Sequence, residues 1–113
     1  MKVMAKPSAS SIVGWLDEGE CLTVLALSAA PSEGVKFLLW SAKQESVALF
    51  PGKDFDVVDG RLSRRWVFNL DARGFVYLAP DVWQVVEFWE KYHDGDSIAV
   101  QVFEQEKALI FSE

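Results

Sequence analysis

The sequence predicts an α+β fold: one antiparallel sheet of about five or six strands over residues 20–79, a short helix before it and one or two helices after it. Three observations carry this. Arg64–Pro80 (RRWVFNLDARGFVYLAP) alternates with a period of two on both sides of an Asp71-Ala72-Arg73-Gly74 turn, which makes a β-hairpin. Short apolar runs separated by Pro, Gly and Asp precede it. After Pro80 the apolar spacing turns helical.

The hairpin is the most determined element. Trp66, Phe68 and Leu70 fall on one face and Val67 and Asn69 on the other; Asp71 starts the turn through its side-chain oxygen, and Gly74 takes the positive φ that restores register. Met1–Pro7 is expected as a mobile lead-in, and Ser8–Glu18 as a short helix ended by Gly19. Glu20–Ser28 (ECLTVLALS) is apolar on both faces and is expected as one central strand buried between layers. Val35–Ser41, Ser46–Phe50 and Phe55–Val58 follow as strands, with Pro51-Gly52 and Asp59-Gly60 as breaks. Downstream, Asp81 is expected to cap a helix that ends at Gly95, with Gln84 completing the cap and Val82, Val85, Val86, Trp89 and Tyr92 on one face. Asp96 caps another; residues 97–111 also alternate in part like a hairpin, but Glu104–Lys107 holds no turn residue, so helix is preferred. The expected core includes Leu22, Val24, Leu27, Phe37, Leu39, Trp66, Phe68, Val86 and Trp89.

A chain of 113 residues that is half hydrophobic is read as one domain able to bury its own core, not a disordered one. Five Trp, eight Phe and two Tyr are more than a minimal core requires; filling a small α+β core is the preferred reading, and a groove or an interface lined by some of the rings is the alternative. Cys21 stands alone, so no intrachain disulfide forms. No apolar run reaches membrane-spanning length, and residues 1–11 lack a signal-peptide layout, so a cytoplasmic protein without membrane contact is expected.

The net charge of −6 is uneven. Residues 1–80 balance nine acids with nine bases, while residues 81–113 set eight acids against Lys91 and Lys107. That bias argues against nucleic acid and for a basic protein partner, drawn to Glu87, Glu90, Asp94 and Asp96. All four arginines lie between Arg61 and Arg73. Arg64, Trp66 and Arg73 would make an anion or ligand patch if they converge, whereas pairing of the arginines with Asp54, Asp56 and Asp59 would make them structural.

No catalytic residue and no metal or cofactor site is assigned. His93 is the sole histidine and falls in the last turn of the expected helix, where a cation complements the dipole. Asp54, Asp56, Asp59 and Gly60 lack the spacing of a calcium loop. Glu87 and Glu90 read as a solvated helix face.

The stretch FVYLAPDVWQVVEFWEKY, a hairpin arm running into a helix, resembles the closing segment of bacterial immunity domains of the SMI1/KNR4 type. The likeness is confined to residues 75–92, the first half does not follow that family's helical opening, and no site residue is carried over from it. From the absent catalytic signatures, the surplus aromatics and the one-sided acidic third, the expected function is a non-enzymatic interaction module of immunity, antitoxin-like or regulatory type. A small-molecule binding domain with an aromatic pocket is the alternative, with an enzyme third. Self-association as a homodimer is expected from short edge strands and surplus aromatics.

Overall fold

The computed structural model describes all residues, 1–113, and the fold is α+β. Eight strands form two antiparallel sheets rather than one. The strands are β1 (Lys2–Ala5), β2 (Cys21–Thr23), β3 (Ala26–Ala30), β4 (Gly34–Ser41), β5 (Ser46–Pro51), β6 (Phe55–Asp59), β7 (Trp66–Leu70) and β8 (Val76–Pro80). Two helices close the chain, α1 (Phe88–His93) and α2 (Ser97–Phe111). The three-stranded sheet runs β2-β1-β6 and the five-stranded sheet β5-β4-β3-β8-β7.

The five-stranded sheet is the middle layer, and alternation along β4 shows why. Phe37 and Leu39 enter one core with Val3, Val24, Phe50 and Phe55, under the three-stranded sheet. Leu38, between them, enters a second core with Trp83, Phe88, Phe103 and Ile110, under the helices. Successive strand residues point to opposite faces, so a strand covered on both sides is apolar throughout.

Glu20–Ser28 is not one strand. β2 belongs to one sheet and β3 to the other, and the chain crosses between them at Val24 and Leu25, both fully buried. Val24 packs in the first core and Leu25 in the second, so the two-sided apolar pattern reports a crossing. Residues 1–7, expected as a mobile lead-in, contain β1, the centre of the three-stranded sheet, where Val3 is fully buried opposite Leu22. The expected helix at Ser8–Glu18 is only a 3₁₀ turn, Ser10–Ile12. Gly14 at φ +79° turns the chain out of helical geometry, and Ile12 and Leu16 fill the first core.

The hairpin forms as expected, Trp66 pairing with Pro80 and Leu70 with Val76. Asp71 Oδ1 accepts the N–H groups of Arg73 and Phe75, and Gly74 takes φ +84°. Its face, however, is covered only at one end. Trp66 packs against the first core, whereas Phe68 is 61 % exposed and Leu70 57 %, because the three-stranded sheet does not extend that far. Phe68 is thus not a core residue, nor is Val86, at 84 % exposure. Leu22, Val24, Phe37 and Leu39 are buried as expected, and Leu27 and Trp89 are half-buried against the cores.

The expected helix from Asp81 to Gly95 is broken. Asp81–Trp83 is a 3₁₀ turn, Glu87 sits in the left-handed region at φ 66°, and only Phe88–His93 is α-helical. Gln84 does not complete a cap; its Nε2 donates to the carbonyls of Val67 and Ala79, pinning the chain across the hairpin. Residues 97–111 are helical, and Asp96 Oδ2 accepts the Ala99 N–H as its N-cap.

Candidate functional site

The segment where the Asp81–Tyr92 pattern breaks borders a concavity. A half-open groove of about 540 Å³ lies between the outer face of the five-stranded sheet and the segment from Trp83 to His93. Its floor comes from all five strands, including Ala26 and Ser28 on β3, Leu38 on β4, Val47 and Leu49 on β5, Asn69 on β7, and Tyr77 and Ala79 on β8. Its wall is Trp83, Gln84, Val85, Trp89 and His93. Apolar lining with a few polar groups at defined places is the usual chemistry of a binding site. Small side chains on the floor, Ala26, Ser28 and Ala79, leave the room that larger ones would fill.

The wall is held by aromatic packing. Trp83, 1 % exposed, stacks on the fully buried Phe103 of α2, with ring centroids 5.1 Å apart and planes 20° apart. Trp89 packs edge-on against Trp83 at 5.7 Å, and Tyr92 lies 4.5 Å from Phe103. Burial raises the Tyr92 hydroxyl pKa, with the Glu104 charge adding to it against a hydrogen bond from Ser46. Lys107 covers the far side, its Nζ 3.6 Å from the centre of the Trp40 ring. The indole Nε1 of Trp83 is buried without an acceptor in a residue that lines the groove.

His93 is in the last turn of α1 as expected, its ring 6.2 Å from Trp89 and 5.1 Å from Tyr92. It belongs to the groove wall, a role that its sequence position did not announce. No group of three or more His, Cys, Asp or Glu side chains converges as metal ligands.

Glu87, Glu90, Asp94 and Asp96 are all exposed, and none makes a salt bridge. Glu90 and Asp94 each follow a groove residue, Trp89 and His93, so they stand about 100° further round the helix and flank the groove rather than line it. Asp96 is engaged as the α2 cap.

Arg64, Trp66 and Arg73 are not brought together. Trp66 is turned inward, its Nε1 donating to the Leu25 carbonyl at 2.9 Å. Arg64 stands at one end of β7, where its backbone N–H donates to the Glu113 carboxylate. Arg73 is at the turn beyond the other end, bonded to Asp71 at 3.0 Å and lying 4.3 Å over the Phe75 ring. Of the aspartate pairings, only Arg61 with Asp59 forms. Arg65 reaches instead across 41 residues to Glu106, which it clamps with two hydrogen bonds of 2.8 and 2.6 Å. Glu106, which interrupts the apolar stripe of α2, is therefore a buried anchor between the hairpin and the helix. Nothing local in the sequence links these two residues, and the groove was not legible because Gln84 reads as a cap residue and Trp83 lies outside the apolar face expected for that helix.

Comparison of the chain with protein-family models, with curated proteins and with solved structures found no match.

Proposed function

We propose that the chain is a protein-interaction module that takes an apolar side chain of a basic partner into the groove beneath Trp83–His93. The observation that carries this reading is the coincidence, on one segment, of an apolar wall and unpaired negative charge. Within the C-terminal third, Glu104 pairs with Lys107, Glu106 with Arg65, and Glu113 accepts from Ser63 and Arg64. Glu87, Glu90 and Asp94 have no such partner inside the fold and are opposed locally only by Lys91. Exposed charges at the rim act on encounter, and a buried apolar anchor acts on residence time. A toxin-neutralising or regulatory role is the concrete form.

The test is titration with a synthetic peptide alternating lysine and leucine, followed by NMR at the indole N–H groups of Trp83 and Trp89. Binding should shift both signals and weaken as salt rises. Acetylating the lysines, or combining Glu87→Gln, Glu90→Gln and Asp94→Asn, should weaken it by roughly tenfold. An Arg64→Gln variant should bind as wild type does. Equal binding of the acetylated peptide would rule out the electrostatic half of the reading.

A second reading, a small-molecule site, is favoured by the buried Trp83 Nε1 without an acceptor and by a volume within the usual range for ligand pockets. Saturable binding of a neutral aromatic ligand such as indole, insensitive to salt and to the three acid substitutions, would select it.

A further inference from the structure

Strand β7 is the edge of the five-stranded sheet, with β8 on one side and no strand on the other. Its sequence, WVFNL, has none of the usual protections of an edge, neither proline nor a charge. Val67, Phe68 and Leu70 are 46, 61 and 57 % exposed. The direction of its free backbone groups follows from the ladder. Asp71 N–H donates to Phe75 O at 3.0 Å, so the pair 71 and 75 is hydrogen-bonded. Alternation then makes 69 with 77 and 67 with 79 the bonded pairs. The N–H and C=O groups of Trp66, Phe68 and Leu70 therefore point away from β8. Pro80, opposite Trp66, fits this, since it has no N–H to give. Trp66 N–H already turns back to Ser63 O. Phe68 and Leu70 keep theirs for a partner.

We infer that this edge pairs with β7 of a second copy of the chain, antiparallel and centred on Phe68, to give a continuous ten-stranded sheet. The register is self-complementary in three ways. The outward N–H and C=O of Phe68 meet those of Phe68 in the other copy, and the Leu70 N–H of each copy meets the free Trp66 carbonyl of the other, as an antiparallel ladder requires. The side chains of Trp66, Phe68 and Leu70 share one face, so Phe68 lies across from Phe68 and Leu70 beside Trp66, extending the apolar face that the three-stranded sheet leaves uncovered. Just beyond the strand, where Arg65 is already held by Glu106, the exposed Arg64 makes no salt bridge within its own chain and falls opposite Ala72 of the other copy, beside the Asp71 carboxylate. A twofold axis through Phe68 repeats each contact, which closes the assembly at two copies. The inference does not depend on what occupies the groove.

Sedimentation velocity on wild type, Phe68→Lys and Phe68→Glu, alone and in an equal mixture, tests it. Wild type should be dimeric at high micromolar concentration. Each variant alone places like charges across the axis and should raise the dissociation constant roughly tenfold or more. The mixture should regain dimer, because only the mixed pair sets Lys across from Glu. Hydrogen exchange on wild type gives a readout without substitution: the Phe68 and Leu70 amides should be protected in the dimer and lose protection on dilution. A monomeric wild type, variants that dimerise as wild type does, a mixture no more dimeric than its components, or Phe68 and Leu70 amides indifferent to dilution would each overturn the inference.

Discussion

Two phenylalanines of identical chemistry lie in opposite environments, and truncating both separates the tertiary arrangement from the sequence pattern. Phe103 is fully buried and in ring contact with Trp40, Trp83, Trp89 and Tyr92, whereas Phe68 is 61 % exposed. Phe103→Ala removes the buried ring, leaves a cavity that the surrounding indoles cannot close, and should cost about 3–5 kcal/mol. For 113 residues the unfolding entropy is about 240 cal/mol/K, so the melting temperature should fall by about 13–21 °C. Against a total stability of about 5–15 kcal/mol that is a large fraction. Phe68→Ala should cost less than about 1 kcal/mol in the monomer. The assay is urea unfolding followed by tryptophan fluorescence, run dilute so that self-association does not contribute. Because Trp83 stacks on Phe103, the native emission of the Phe103 variant should also shift toward that of solvated indole. Comparable losses for the two variants would refute the assignment of the hairpin's outer half to solvent.

The remaining expectations concern charge and backbone. Burial would raise the Asp71 carboxyl, but the N–H groups of Phe75 and Arg73 and the Arg73 guanidinium outweigh it and hold the pKa below the ordinary aspartate value. The folded state thus binds fewer protons than the unfolded one. Its contribution is complete above about pH 4 and is lost as pH falls through the lower folded value. Asp71→Asn should therefore lower the urea midpoint at pH 7, by an amount that shrinks as pH falls below the ordinary aspartate range; a difference that stays constant into acid would remove the electrostatic account. Glu113 is shifted the same way: burial raises it, while the Ser63 hydroxyl and the Arg64 N–H lower it further. Glu113→Gln should show the same convergence at low pH. Glu87 is left-handed at φ 66°, so Glu87→Gly relieves strain and should not destabilise, whereas Glu90→Gly in α1 should cost about 1 kcal/mol. Equal losses by thermal melts would argue against the break before α1.

What the sequence determined by itself is what local chemistry can encode. The Asp71–Gly74 turn, the period-two hairpin and the Asp96 cap all form because their signals lie within a few residues of the structures they specify. The α+β class follows from the change of period after Pro80. The tertiary structure decided the rest, and in each case the reason is a contact between distant residues. ECLTVLALS is apolar on both faces whether it lies within one sheet or passes between two, and only the pairing of β2 with β1 and β3 with β4 selects the second. The helical spacing from Val82 to Tyr92 was real in the sequence, yet Gln84 binding the carbonyls of Val67 and Ala79 broke it and left Val85 and Val86 in solvent. Phe68 shares a face with Trp66 by alternation, but burial of that face depends on how far the other sheet reaches. The groove inherits all three decisions: its floor is the sheet that β3 joins, its wall is the interrupted helix, and the cluster behind it is built around Phe103. Hydrophobic periodicity states which side chains need cover, and the packing of whole layers decides which of them receive it.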